Sequence, residues 1–453
     1  MYILSRICFF HIIFHLFSCY FIPEKGNNIT NITSFAFGSC YNLNKKVSNY
    51  TIFNVVSDFK PDFFMWLGDA TYIKLQKKSA IPFKSYYDYF MSNYGEFNET
   101  YVLERYRETS ESSDYRKFKK STPIIGVWDD NDYGWNDGNG YFAHKEKMKQ
   151  IFLDFLEEPR DSQRRFGDKG IYNTYVFGEG DSYKKIRVIL LDVRYHKSRW
   201  TEENADILGE EQWIWLENVL KKAEETFIFI CSGTQILPFD RLLSEAWYGY
   251  SRKRLFRLLS KLQKDGIILL TGDIHVAQIL KTPCTINSIG YPLYEITSSG
   301  LGHYCKPNCD LAIDHVLPRF YQHSATVDDY NFAQLYFDWG KEKKGSKFLV
   351  KIVDIEGKVR MMEEFKLTDL TIKNRAKTFD LENDECYISI TRRFQPLSYY
   401  VNFIFDRKEN GLYLLCFLAA VAAVISVVCN VASIVLLGVY CKRKKAGVKL
   451  KTD

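Results

Sequence analysis

The sequence predicts an α/β fold of stacked sheets and helices, on three observations. Short apolar runs alternate with amphipathic stretches from about residue 30 to residue 365. The runs are rich in β-branched and aromatic residues and nearly unbroken, as in strands buried on both faces. Nearly every run ends on a polar or ionisable side chain.

Taken in order, the chain opens with Arg6 followed by ICFFHIIFHLFSCYFI, the pattern of a signal peptide over residues 1–23. The runs SFAFGSC, DFFMWLGD, PIIGVWDD, IRVILLDVR, TFIFICSGTQ and GIILLTGDIH then read as strands. Between them YTIFNVVSDF, EKMKQIFLDFLEE, GEEQWIWLENVLKKA and RKRLFRLLSKLQ carry helical periodicity. This alternation is the signature of α/β layering. NFAQLYFDW and KFLVKIVDIEGKVRMMEEFKL alternate with period two around Glu-Gly-Lys, which predicts antiparallel hairpins. The body thus spans 30–368, and residues 369–410 lack periodicity and read as a stalk.

Residues 411–440 are apolar but for small polar residues and Asn430. As a helix this stretch would be ~43 Å long, against a hydrocarbon core of about 30 Å. It predicts one transmembrane helix. The basic tail at 441–453, beginning CKRKK, then predicts a cytoplasmic end and a single-pass type I membrane protein with a lumenal or extracellular body. Asn28, Asn31, Asn49 and Asn98 open N-x-T sequons, as in a glycoprotein. Cys284, Cys305, Cys309 and Cys386 are candidates for disulfides in an oxidising compartment. Net charge is +6, much of it in the tail, so the near-neutral body gives no sign of nucleic-acid binding.

The strand ends carry the chemistry. They present Cys40, Asp69, Asp129 with Asp130, Asp192 with Arg194, Gln235, and Asp273 with His275. In α/β sheets ligands bind beyond the carboxyl ends of strands. Several carboxylates in one cleft repel unless cations lie between them, so the pattern points to metal ions. Mixed O, N and S donors suit iron or zinc, and an oxygen-rich set suits calcium, manganese or magnesium. Any one of these residues has a plainer reading: a Gly-Asp pair is often a turn, and Arg194 is able simply to pair with Asp192.

The ordered motifs FGSC, WLGDATY, GVWDDNDYG, ILLDVRYH, LGEEQWIWLE, CSGTQIL, LLTGDIHVAQ and YPLYEITSSGLGH resemble the alkaline phosphatase D (PhoD-like) metallophosphatases. The resemblance runs from about Ser34 to about Leu367. It implies a four-layer α/β/β/α sandwich with a binuclear centre at the sheet edge. By motif, Asp69 would bridge the two metals, and Cys40 and Tyr72 would complete a ferric-iron site with His275 nearby. Asp130 and Asp273, with Gln235, would hold a second divalent ion: calcium, manganese, magnesium or zinc. Arg194 would grip phosphate, since a guanidinium matches its geometry. His303 in SSGLGH also fits the family pattern, and a structural histidine is an equal reading of it.

One position departs from the family. Asn131 stands where the motif commonly has histidine, and an amide donates a hydrogen bond but transfers no proton near neutral pH. The expected function is a membrane-anchored phosphatase or phosphodiesterase in which two metals activate a hydroxide. The alternative is a catalytically weakened phosphatase fold serving as a membrane-tethered binding or scaffold protein.

Overall fold

The computed structural model describes residues 29–43, 51–73, 97–180, 182–200, 202–238, 245–283, 285–304, 322–323 and 326–373. The chain divides into two compact units, Met1–Pro396 and Leu397–Asp453, and every described residue belongs to the first.

Thirteen strands build two sheets among the described residues. The first contains β1 (Ser34–Gly38), β2 (Phe64–Leu67), β3 (Ile124–Val127), β11 (Asn331–Asp338), β12 (Lys347–Asp354) and β13 (Val359–Lys366), in the order β13-β12-β11-β1-β2-β3. Its β1, β2 and β3 run parallel, and the C-terminal meander joins antiparallel through β11 on β1. The second contains β4 (Asn173–Phe177), β5 (Ile186–Leu190), β6 (Phe227–Ser232), β7 (Ile267–Thr271), β8 (Ala277–Thr282), β9 (Leu293–Ser298) and β10 (Gln322–His323). Its order is β10-β8-β9-β7-β6-β5-β4, with β5, β6, β7 and β9 parallel.

Aromatic side chains hold the sheets face to face. Phe35 of β1 meets Phe229 of β6 edge-on at 5.3 Å between ring centroids, and Phe227 of β6 meets Phe348 of β12 at 5.0 Å. Such pairs add roughly 0.5–1.5 kcal/mol beyond the area they bury. The opposite face of β2 presents Phe64 and Trp66, because alternate side chains leave a strand on opposite faces. Helices cover that face: α1 (Ile52–Asp58), α2 (Glu99–Glu111), α3 (Ser113–Ser121) and, after the short α4 (Asp130–Tyr133), α5 (Lys145–Phe155). Phe118 of α3 packs on Phe64, Phe155 of α5 packs on Trp66, and Trp66 donates its indole N–H to Tyr115 of α3 at 2.9 Å. α6 (Glu210–Lys222) and α7 (Gly249–Leu262) are the crossovers β5–β6 and β6–β7; the short α8 (Thr285–Ser288) follows β8. Parallel neighbours need such crossovers, and the first sheet already occupies the other face.

The six sequence-assigned strands and the C-terminal meander are all present, as are α1, α5, α6 and α7. The strands fall in two sheets, three in each, so their ends approach one cleft from both sides. Not foreseen were α2 and α3, β4, β8, β9 and β10. Asn98 begins α2 as its cap, accepting the Tyr101 N–H at 3.1 Å.

One expectation is corrected. Among the described residues no helix is long and apolar enough to cross a membrane. The transmembrane helix in the expected fold, and the single-pass membrane location drawn from it, are therefore not supported. Residues 411–440 lie outside the described residues, as do the expected signal peptide, the basic tail, Asn28, Asn49, Cys284, Cys305, Cys309 and Cys386.

Candidate metal centre

The strand ends form this site through strained backbone. Cys40, Asp69, Asp273 and His275 follow β1, β2 and β7 with φ of 62°, 53°, 75° and 60°. Non-glycine residues rarely adopt this left-handed region, at a cost on the order of 1–3 kcal/mol each. Four of the eight non-glycine residues with positive φ among the described residues gather in this one cleft. Gly68, with φ of 89°, lets the turns close up: a Cβ there would lie 2.3 Å from the Asp129 Cβ.

Two clusters result. In the first, Cys40, Asp69 and His275 bring ligand atoms within 4.8 Å of one another. The Cys40 sulfur lies 3.5 Å from Asp69 Oδ2, and the Tyr72 hydroxyl lies 2.9 Å from His275 Nε2. The His303 ring packs on His275 at 3.9 Å and lies 5.7 Å from Tyr72. In the second cluster, ligand atoms of Asp69, Asp129 and Asp130 lie within 4.8 Å. Asp69 is common to both, as a bridging ligand would be.

Asp273 is a partly exposed residue, yet its Oδ2 is buried and has no hydrogen-bond partner. A buried carboxylate oxygen without a donor is costly. Burial first, and then neighbouring Asp130, Asp129, Asp132 and Asp273, push the Asp69 carboxyl well above the usual carboxylate range. Burial first, then Asp129 and Asp130, push Asp273 up as well. Burial and Asp69 raise the Cys40 thiol, and burial and Cys40 raise the Tyr72 phenol. Burial and like charge thus disfavour the charged forms of these groups, and a bound cation would invert that logic. The donor set fits such ions: S, N and O donors around Cys40, oxygen alone around Asp130.

The remaining sequence-assigned residues are placed as follows. Asn131 donates its side-chain amide to Asp69 Oδ2 at 3.0 Å and to Asp130 Oδ1 at 2.9 Å, and its backbone N–H to Asp69 Oδ1 at 3.2 Å. Arg194 is fully buried rather than open to the cleft. Its Nε donates to Asp129 Oδ1 at 2.6 Å, and its Nη2 reaches Thr234 Oγ1 at 2.9 Å and Glu245 Oε2 at 2.6 Å. Gln235 is buried, and its Nε2 donates to Thr297 Oγ1 of β9 at 2.9 Å. Asp192 is tied down by the backbone N–H groups of Ile171, Arg194 and Tyr195, at 2.8, 2.9 and 2.9 Å.

Several residues at the site escaped the sequence reading. Asp137 and Glu245 bring ligand atoms within 4.8 Å of Asp130. Glu245, however, is already paired with Arg194 and Lys197, so the chain's own basic groups answer that carboxylate. Lys197 is 2 % exposed, and burial, reinforced by Arg194, lowers its ammonium to about 7. Asp132 accepts from the Thr71 N–H and the Asp129 N–H, both at 3.3 Å, and so braces the Asp69 turn against α4. Burial raises it to about 7 against these hydrogen bonds. Asp132 stood in the quoted WDDND motif; Glu245 lies in a loop with no distinguishing pattern.

Among solved structures, one described as "Structure of PhoD" is similar over 83 % of this chain and 78 % of its own, at 14 % identity and a TM-score of 0.49. No curated protein sequence matches the chain. The profile of the PhoD-like phosphatases matches residues 35–303, well over half of the sequence and every residue of the two clusters, and the chain belongs to that family.

Proposed function

We propose that this chain hydrolyses phosphate esters at a centre of two metal ions bridged by Asp69. The observation that carries the reading is Asp69 itself, shared by a thiol–imidazole cluster and a carboxylate cluster at one cleft. Cys40, Tyr72 and His275 would hold one ion with Asp69, and ferric iron suits the thiolate and phenolate. Asp130 and Asp273 would hold the other, a divalent ion, the latter through an oxygen that otherwise has no partner. Gln235 would lie beside this second site. When bound, such ions lower the pKa of water and neutralise charge developing on phosphorus oxygens.

The protein groups divide the remaining work. Asn131 spends its two amide hydrogens on Asp69 and Asp130 and would hold these two carboxylates in place; it supplies hydrogen bonds and no proton. Arg194 was assigned to phosphate from the sequence. Its ion pairs with Asp129 and Glu245 favour a positioning role, holding the Asp129 turn and with it Asp130. The second reading, a weakened phosphatase fold that binds without turnover, draws on Asn131 alone.

The test is elemental analysis of the purified chain together with a panel of phosphate mono- and diesters. Bound metal with turnover that a chelator abolishes is the expected result. Metal without turnover on any ester would favour the binding reading, and no metal at all would remove the centre.

A further inference from the structure

We infer that Ser299 is a positioning residue that ties Cys40 and His275 into one ligand pair, its hydroxyl accepting from the His275 backbone and donating to the Cys40 sulfur. The inference rests on the metal-centre reading above and names a group outside the ligand set. Ser299 is fully buried just beyond β9. Its Oγ lies 2.9 Å from the His275 N–H and 3.0 Å from the Cys40 sulfur.

The direction of these bonds follows from valence. A backbone N–H only donates, so the Ser299 oxygen accepts from His275 and its own hydrogen is left for sulfur. A metal-bound thiolate has no hydrogen to give, so in the loaded site Ser299 is necessarily the donor. The neighbouring serine hydroxyl is a weaker competitor. Ser39 Oγ lies 3.6 Å from the sulfur and is also directed at Ser298 O, 3.3 Å away. The chain that carries Ser299 is itself fixed on the Cys40 turn: Leu301 N–H donates to Ser39 O and Gly302 N–H to Cys40 O, both at 3.0 Å. His275 and Cys40 both hold left-handed backbone, and Ser299 joins the two strained turns through one oxygen. The serine hydrogen bond also opposes the rise that burial and Asp69 impose on the Cys40 thiol. Groups in this relation to a metal ligand orient it and set how much charge its donor atom gives the metal; their loss costs roughly 10–100-fold in affinity.

The experiment titrates the metal-free full chain with Co2+ alone and follows the thiolate-to-cobalt absorption band. The wild type is expected to develop the band and Cys40→Ser to lack it. Ser299→Ala should keep the band, displaced in energy, while Co2+ affinity falls about 10–100-fold. Ser39→Ala should change both much less. Unchanged band and affinity in Ser299→Ala would overturn the inference while leaving the metal centre standing. Absence of the band in the wild type would overturn the centre and the inference together. Should Ser299→Ala not fold, hydrogen exchange of the wild-type His275 amide decides: slow exchange supports the bond to Ser299, and exchange at the rate of an open turn overturns it.

Discussion

Around Cys40 the sulfur faces the hydroxyls of Ser299 and Ser39 and the carboxyl of Asp69, and Tyr72 faces His275, with no lysine or arginine among these contacts. Around Asp129, 3.3 Å from the hydroxyl of Thr234, the chain instead supplies its own cations. Arg194 holds Asp129 and Glu245, and Lys197 holds Glu245. Both regions lie at strand ends, both are buried, and both concentrate ionisable groups. They differ in who answers the charge. One half is an ion-pair network that stands without a ligand. The other half, with Asp273 Oδ2 and Asp69 between them, stays short of positive charge. The contrast separates residues whose charge the chain itself answers from residues proposed to take up metal.

The largest expected effect comes from the residue both halves share. Asp69→Asn removes the charge common to the two clusters. Bound metal should fall, and turnover should drop by well over the roughly 100-fold that loss of an outer-shell partner costs. The metal-induced gain in thermal stability should go too, about 2.7 kcal/mol at a free metal concentration 100 times Kd. Metal content equal to wild type in Asp69→Asn would mean that Asp69 is a turn aspartate, and the division into halves would lose its hinge.

A second pair of variants tests the contrast directly. Glu245→Gln leaves Arg194 and Lys197 buried without their shared carboxylate, and breaking such a pair costs about 3–5 kcal/mol. Denaturant unfolding should show that loss while Co2+ still reaches Cys40. Cys40→Ala should do the reverse, losing the thiolate band while unfolding of the metal-free protein moves far less. If Glu245→Gln left stability alone and removed metal, Glu245 would be a ligand and the ion-pair account would fall.

What the sequence disclosed follows the same line. β2, β6 and β7 were legible because they are short, apolar and β-rich, and their last residues were legible because strands end where polar side chains begin. Asp69, Cys40 and His275 were singled out that way, and their ligand atoms lie within 4.8 Å of one another. α2 and α3 were not, because YVLERYRETSESSDYRKFKKS is mostly polar and its few apolar residues mark a narrow face. β4 was missed because NTYVF is short and half polar, and β8 and β9 because their hydrophobic runs abut the motif residues. Glu245 was out of reach: only the tertiary path returns its loop to Arg194. That same path turns Arg194 inward, which its position beside Asp192 did not reveal. The turn at Cys40 hides its strain because cysteine does not announce a left-handed backbone; aspartate at 273 is a commoner choice there.

The smallest effect expected is the most informative about chemistry. Asn131 donates to Asp69 and Asp130 at once, so it stands where the two halves touch. An amide there stabilises negative charge and delivers no proton. An alkyl ester, whose alkoxide leaves poorly, should therefore react slowly beside an aryl ester with a good leaving group. General acid catalysis supplies about 10²–10⁴-fold where it operates. Asn131→His restores a group able to donate a proton, but its ring must also replace two amide bonds to the carboxylates. A partial gain of roughly 10-fold on alkyl esters, with little on aryl esters, is the expected outcome. His144 stacks on Phe97 at 4.4 Å and packs on Phe142 at 5.6 Å, and no contact among the described residues ties it to Asp69 or Asp130. His144→Ala should accordingly leave the ratio of alkyl to aryl rates as it is. The measurement is kcat/KM for esters graded by leaving-group pKa, on the wild type and both variants. A shallower dependence on leaving-group pKa in Asn131→His marks proton transfer. Equal gains along the whole series would assign this position a purely electrostatic role, and a His144→Ala defect confined to alkyl esters would place the donor at His144, the residue before α5, instead.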